Sequence, residues 1–287
     1  MNHVLEIRNR HYVVRQYQQK LILFTFPELV PISKFYINAT HSHLNPHTHE
    51  LLIIHRNEVT VLGVAITPLQ LAIQQQSFID WEPRGGVLMK SSIALFGDHC
   101  IAFYARGSLM QKLWEIDIVQ EIESIGVSQG DLVIGMKVRQ PSNTLFLWNQ
   151  NDPSPKPHQD IVLTQPIIQW QFIGENVLAI LTAQELRIYY RNSTNQYNLY
   201  NYYLVEAGAF SWVGHYNPHH HHALSVNSVL LLGNDGLATL VELHHIEQRT
   251  QLSALHRVGE VQLEYKGVNM KRVVATWGEE GKVSLVC

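Results

Sequence analysis

Between Val229 and Glu242 the sequence reads Val-Leu-Leu-Leu-Gly-Asn-Asp-Gly-Leu-Ala-Thr-Leu-Val-Glu, two short apolar runs on either side of Asp235-Gly236. An Asp-Gly pair between apolar runs marks a tight β-hairpin, because such a turn needs backbone angles that Gly and Asp tolerate. Six further stretches fit the same template: Tyr12 to Phe26, Leu51 to Val64, Ile93 to Ala105, Leu132 to Trp148, Val177 to Tyr190 and Val273 to Val286. The seven starts are 39 to 52 residues apart. One hairpin unit written end to end at this period constrains the fold more than any other feature of the chain.

Four-stranded propeller blades have this period, with the hairpin supplying the two middle strands. The expectation is therefore an all-β, seven-bladed β-propeller of four-stranded blades, a single domain over residues 1–287. A β-sandwich pair uses strands of similar length but does not return to one hairpin template every ~40 residues. Within blade 1 a strand is expected near His3 to Arg8, a turn at Gln18-Gln19 and an outer strand at Leu29 to Tyr36. Blade 2 pairs Leu51 to His55 with Glu58 to Leu62 across Arg56-Asn57, followed by Leu69 to Gln75. Blade 3 is expected to start at Phe78 to Trp81, with Pro83 to Gly86 as its first turn and Asp98-His99 as its central one. The best helical spacing lies at Asp117 to Ser124, a segment short enough to be the start of blade 4 instead.

Blade 4 contains Leu145-Phe146-Leu147-Trp148-Asn149. This resembles the Leu-x-Ile-Trp-Asp ending of the third strand in a WD40 repeat, with Asn in place of Asp. The other blades offer Phe24-Thr25, Leu62-Gly63, Tyr104-Ala105, Tyr189-Tyr190, Val241-Glu242 and Val286-Cys287 at the equivalent place, so the Asp of the WD40 hydrogen-bonding network is absent. The resemblance is to the WD40-like propeller superfamily, carried by the period of the whole chain and by the motif in one copy. It implies a propeller fold and a role in holding other proteins.

Composition narrows the function classes. With 21 Lys and Arg scattered among 24 Asp and Glu, for a formal net charge of -3, the chain lacks the electrostatic footprint of a nucleic-acid binder. No apolar run approaches the ~20 residues of a membrane-spanning helix. Cys100 and Cys287 make no disulfide framework and the N-terminal residues carry no signal-peptide pattern, so the expected location is cytoplasmic or nuclear. The sequons at Asn38 and Asn192 would matter only in a secreted protein. At 16% the charged fraction is low, which leaves surface for partners.

The histidines invite a metal reading. His41, His43, His47 and His49 form a His-x-His-x3-His-x-His array, and a turn at Asn45-Pro46 would bring the two pairs together. With no cysteine or carboxylate fixed by the pattern, a solvated His-rich turn is the expectation, and no metal or cofactor is assigned. His219 to His222 lie in a long insertion and read as a polar loop tip. Propeller enzymes of the hydrolase or lactonase type, the alternative function, need polar groups recurring at matching positions of several blades. Asp80, Asp98, Asp131, Asp160 and Asp235 fall at different points of theirs, and no nucleophile elbow or phosphate loop is present. A peptide or phospholipid reader in trafficking is a third class, but the paired arginines of phosphoinositide-binding propellers are missing; Lys271-Arg272 is the only adjacent basic pair beyond the N-terminal region.

Tyrosines point to a partner instead. Tyr189-Tyr190, Tyr197, Tyr200, Tyr202 and Tyr203 crowd one blade around the polar turn Asn192 to Gln196. Alternation would send half of them into the core and half outward as an adhesive row. The long loops at Gln150 to Asp160, Asn192 to Gln196 and Gly214 to Asn227 join strands whose connections emerge on one face, which makes Pro153, Tyr216, His219 and His220 candidate docking residues. At the end of the chain Val283 to Val286 fills a third strand and Cys287 follows, so the first or last blade is expected to be one strand short. Val283 and Leu285 would then border an edge that a partner fills by strand addition. The expected function is a non-catalytic protein–protein interaction scaffold, a subunit of an intracellular multiprotein assembly.

Overall fold

The computed structural model describes residues 2–7, 10–17, 19–25, 28–45, 48–107, 110–128, 133–149, 156–173, 176–213, 227–232, 237–243, 256–262, 274–277 and 283–286. These residues form strands and turns, with no helix among them. They divide into two compact units, Met1–Val162 and Leu163–Cys287.

The first unit holds four antiparallel sheets of four strands, each built from consecutive strands. Sheet 1 is β1 (Asn2–Ile7), β2 (Arg10–Tyr17), β3 (Lys20–Thr25) and β4 (Pro31–Tyr36). Sheet 2 is β5 (His41–Asn45), β6 (Glu50–His55), β7 (Glu58–Ile66) and β8 (Leu69–Phe78). Sheet 3 is β9 (Gly85–Leu88), β10 (Ser92–Phe96), β11 (Cys100–Ala105) and β12 (Lys112–Asp117). Sheet 4 is β13 (Ile122–Val127), β14 (Val133–Val138), β15 (Thr144–Asn149) and β16 (Gln159–Val162).

Middle strands such as β6, β10 and β18 carry unbroken apolar runs because both of their faces are buried. Along β6, Leu51 and Ile53 pack with Val14, Leu21 and Leu23 of sheet 1, while Leu52 and Ile54 pack with Leu88, Ile93 and Leu95 of sheet 3. A strand with one wet face would instead alternate apolar with polar residues. Sheets 3 and 4 meet through Phe96, Phe103 and Ile116 against Ile134, Met136 and Trp148. Trp114 stacks on Phe103 with ring centroids 3.7 Å apart.

The second unit contains sheet 5, of β17 (Gln169–Ile173), β18 (Val177–Leu181), β19 (Glu185–Arg191) and β20 (Tyr197–Leu204), and sheet 6, of β21 (Ala209–Val213), β22 (Asn227–Leu232), β23 (Leu237–Leu243) and β24 (His256–Gln262). A two-stranded sheet follows, β25 (Val274–Trp277) with β26 (Val283–Val286). Ala179, Leu181, Leu186 and Ile188 of sheet 5 pack on Phe210 and Leu231 of sheet 6.

Each expected hairpin is a paired set of adjacent strands, from β2–β3 to β25–β26. The Asp235-Gly236 turn lies outside the described residues. Of the His3 to Arg8 segment, the residues up to Ile7 serve sheet 1, since β1 pairs with β2, and Arg8 lies outside the described residues. The expected start of blade 3 is corrected. Sheet 3 starts at Gly85, and Phe78 ends β8. Gly85 and Gly86 are strand residues paired with Phe96 and Leu95, and glycine stands at each because a Cβ has no room: at Gly85 it would meet the Phe96 ring at 2.6 Å, and at Gly86 the Ala94 carbonyl oxygen at 2.7 Å. Asp117 to Ser124 forms no helix; Asp117 closes β12 and Ile122 opens β13, with the Ile122 N–H bonded to the Asp98 carbonyl at 2.7 Å.

Most outer edges are blunted. The third and fourth strands shift register once in sheets 1, 2, 3, 5 and 6. Sheet 4 keeps its register but its fourth strand has only four residues. A bulge or a short strand at an edge discourages indiscriminate strand pairing.

Candidate interaction sites

On β20 the register shift falls between Ile188 and Tyr189, so Tyr200 is the extra residue and alternation breaks there. Tyr197 is buried, with its ring centroid 5.7 Å from that of Phe172. Tyr203 packs on the core shared with sheet 6. Tyr200 is half-buried; its hydroxyl is enclosed and has no hydrogen-bond partner among the described residues, and burial pushes its ionisation up. The outward residues are Leu199, Tyr202 and Leu204, which are 49%, 54% and 71% exposed. They stand opposite Tyr189, Arg187 and Glu185, on one face. Arg187 donates to Glu185 at 2.6 Å, so this face holds its charge in an internal pair. Leu199 and Leu204 were legible only through the tyrosines around them, since leucine in a strand reads as core.

The turn that delivers β20 is built by Asn192, whose Oδ1 accepts from the Thr194 N–H at 2.9 Å, the Thr194 hydroxyl at 2.7 Å and the Gln196 N–H at 2.9 Å. Asn195 takes φ 62°, which Asn tolerates. Val283 and Leu285 lie on β26, opposite Trp277 and Ala275, and among the described residues no strand pairs with the other edge of β26. Pro153, Tyr216, His219 and His220 lie outside the described residues.

His41 and His43 sit on β5 and are used by the backbone of β9. His41 Nε2–H donates to the Gly86 carbonyl at 3.0 Å, and the Leu88 N–H donates to His43 Nδ1 at 3.1 Å. Two residues apart on one strand reach two residues apart on the next. Asn45 continues the row, donating Nδ2–H to the Leu88 carbonyl at 3.1 Å. His3 on β1 is 2.6 Å from the Ser42 hydroxyl. Burial lowers all three histidines, His3 to about 4 and His43 to about 3, and their mutual proximity adds to it for those two. His49 occupies the turn before β6 with φ 53°, and His47 lies outside the described residues. Among the described residues no group of three or more His, Cys, Asp or Glu is arranged to hold a metal ion.

No family model matches the chain, and no curated protein does. Solved structures match over its full length. A chain in the crystal structure of the mitotic checkpoint complex superposes with a TM-score of 0.64 at 11% identity, covering 100% of this chain and 83% of that one. Kluyveromyces lactis Hsv2 superposes with a TM-score of 0.67 at 8% identity, covering 100% of this chain and 90% of that one. The fold is that of a β-propeller. Identities this low carry the fold and nothing finer.

Asp98 sits in the β10–β11 turn, where Arg84 pairs with it and with Glu121. Asp80 and Asp160 are exposed, while Asp131 and Asp235 lie outside the described residues. Cys100 is half-buried; burial first, then Glu115 and Asp117, holds its thiol above the ordinary range, which disfavours the thiolate. Among the described residues no helix is long and apolar enough to cross a membrane.

Proposed function

We propose that this propeller is a non-catalytic interaction scaffold: a cytoplasmic or nuclear subunit of a multiprotein assembly, seven blades in one domain, working without cofactor or metal. Its partners are proteins, not nucleic acid. The observation that carries the reading is the outer strand of sheet 5, which presents Leu199, Tyr202 and Leu204 on an edge strand with no charged residue. Apolar and aromatic side chains on one exposed strand favour burial against a partner.

A second contact belongs to the same reading. β26, Val-Ser-Leu-Val, is uncharged and, among the described residues, has no strand on its other edge, and a strand donated by a partner extends that sheet beside Val283 to Val286. The test is affinity purification of the full chain from cells, with mass spectrometry, followed by amide exchange on the purified complex. Tyr202→Ser with Leu204→Ser is expected to leave the melting temperature unchanged and to lose partners that wild type retains. Exchange at Val283 to Val286 should slow at least about tenfold in the complex. A wild-type chain that retains no protein overturns the scaffold reading, and unchanged exchange overturns the donated strand.

A further inference from the structure

The hairpin of β7 and β8 is the longest among the described residues, with strands of nine and ten residues, and its outer strand reads Leu-Gln-Leu-Ala-Ile-Gln-Gln-Gln-Ser-Phe. The outer strands of four other sheets each carry charge: Lys34 on β4, Glu115 on β12, Asp160 on β16 and Arg257 on β24. A charge on an edge strand hinders the addition of a further strand. β8 has none and holds no proline, a character it shares only with β20, the strand already read as a contact. Among the described residues no strand pairs with the outer edge of β8.

The uncharged surface spans the end of the hairpin. Leu62 to Ile66 pair with Leu69 to Ile73 in unbroken register, and neither segment holds a charged residue. Leu62, Leu69 and Leu71 pack with Val14, Leu21 and Leu23 of sheet 1, so their row faces that core. Ile73 stands opposite Leu62 and Ile66 opposite Leu69, on the same face, yet they are 48% and 46% exposed. The other face of β8 carries Gln70, exposed, and Ala72, half-buried. Register breaks after Ile73, where Gln74 is the extra residue, so a strand added before the bulge pairs over about five residues. The one charge on either strand, Glu58, lies beyond the bulge and accepts from Gln76 at 2.5 Å.

We propose that the outer edge of β8 at Leu69 to Ile73 accepts an extended, uncharged segment of a protein partner as a fifth strand of sheet 2. The proposal rests on the scaffold reading and adds a contact of stated chemistry to it. Alternate residues of an edge strand turn N–H and C=O away from the sheet, and these groups are satisfied by another strand. A Lys or Glu in the segment has no opposite charge to meet on either strand, so charge complementarity selects a neutral sequence. Its side chains alternate: apolar beside Leu71 and Ile73, amide or hydroxyl beside Gln70 and Ala72.

The test is fluorescence anisotropy on the full chain with a labelled, end-capped peptide of about eight residues alternating Ile with Thr and Gln. Two further peptides are titrated beside it. One has alternate backbone nitrogens methylated, which keeps the side chains and removes the strand edge; the other has Glu for each Thr and Gln. The first should bind, change less than about twofold between about 50 and about 300 mM salt, and slow amide exchange at alternate residues of Leu69 to Ile73 at least about tenfold. The other two should bind at least about tenfold more weakly. Gln70→Lys and Ile73→Lys, both at exposed sites, set a charge on the edge and should each weaken binding about tenfold at an unchanged melting temperature. Val119→Lys, at a site 91% exposed in the turn after β12, should leave binding intact. No binding by wild type, equal binding of the methylated or the Glu peptide, or indifference to Ile73→Lys overturns the proposal. So does a dimer in sedimentation that Ile73→Lys dissociates, which gives the edge to a second copy of the chain. Failure here is separable from failure of the scaffold reading: protein partners that co-purify equally with wild type and Ile73→Lys refute this edge alone, and a wild type with no partners refutes the reading beneath it.

Discussion

The imidazole of His43 accepts the backbone N–H of Leu88, joining the first strand of sheet 2 to the first strand of sheet 3 by a side-chain-to-backbone bond. The bond fixes a tautomer, since Nδ1 must be unprotonated to accept and the proton sits on Nε2. Protonation turns that acceptor into a donor facing another donor. His41, two residues earlier, donates to Gly86, and His3 adjoins Ser42 between them.

Acid should therefore loosen the first unit before it protonates most carboxylates. The three rings are held neutral in the folded protein, with His3 lowered to about 4 and His43 to about 3, chiefly by burial. Once unfolded they take up protons near pH ~6.5. The unfolded state then binds more protons than the native one between about pH 6.5 and the folded values, so stability is full above that window and falls as pH drops through it. Thermal unfolding should show the midpoint falling by about 5 °C or more between about pH 7 and 5. His43→Asn, whose side-chain oxygen can still accept from Leu88, should flatten the slope. An unchanged slope would mean that these rings are not linked to folding.

Gly86→Ala tests why a glycine stands in a strand. A Cβ there meets the Ala94 carbonyl oxygen at 2.7 Å, a backbone atom of the paired strand that no rotamer change can clear. The expected loss is about 1–3 kcal/mol, read by urea unfolding. Gly107, at φ 149°, has open space for a Cβ, so Gly107→Ala isolates backbone strain from crowding and should unfold with a smaller loss if crowding dominates at Gly86.

The hairpins were legible because both faces of middle strands such as β6 and β10 are buried, which writes runs such as Leu51 to Ile54 that nothing but a covered sheet explains. The glycines at 85 and 86 were misread because a close approach and a turn leave the same letter in a sequence. The bulges had no signal: one inserted residue, Tyr200 on β20 or Gln74 on β8, changes which side chains face out without changing composition. That is why the exposed residues on β20 are Leu199, Tyr202 and Leu204 and not every second tyrosine. The spacing of His41 and His43 was visible, but period two serves a metal and a neighbouring strand's backbone equally well.

Glu50 and Arg106 offer a buried charge test. Arg106 donates to Glu50 at 2.6 Å and reaches the Lys90 carbonyl at 3.1 Å, tying the start of β6 to the end of β11 and the β9–β10 turn. Glu50 is buried, so Glu50→Ala leaves the guanidinium facing the sheets without its carboxylate and should cost about 3 kcal/mol or more. Changing both to a close-fitting Leu and Met pair should recover most of that loss in the same unfolding assay, because the cost lies in the unpaired charge.

In the second unit the corresponding stitch between first strands is made by an amide. Gln169 on β17 donates to the Phe210 carbonyl at 2.8 Å and accepts the Phe210 N–H at 3.0 Å, so one side chain satisfies both backbone groups of a residue on β21. A glutamine has one donor and one acceptor group at this spacing; a glutamate has only acceptors, and a leucine has neither. Gln169→Leu is expected to leave both backbone groups of buried Phe210 unpaired and to lose about 2 kcal/mol or more. Gln169→Glu keeps the bond from the N–H but sets a carboxylate against the carbonyl oxygen, so its loss should shrink as pH falls and the acid regains a donor. The check is urea unfolding of the three proteins at neutral pH and near pH 5, with amide exchange at Phe210 as the local reading. If Gln169→Leu unfolds at the wild-type midpoint, water satisfies Phe210 and the glutamine is not what holds β17 to β21.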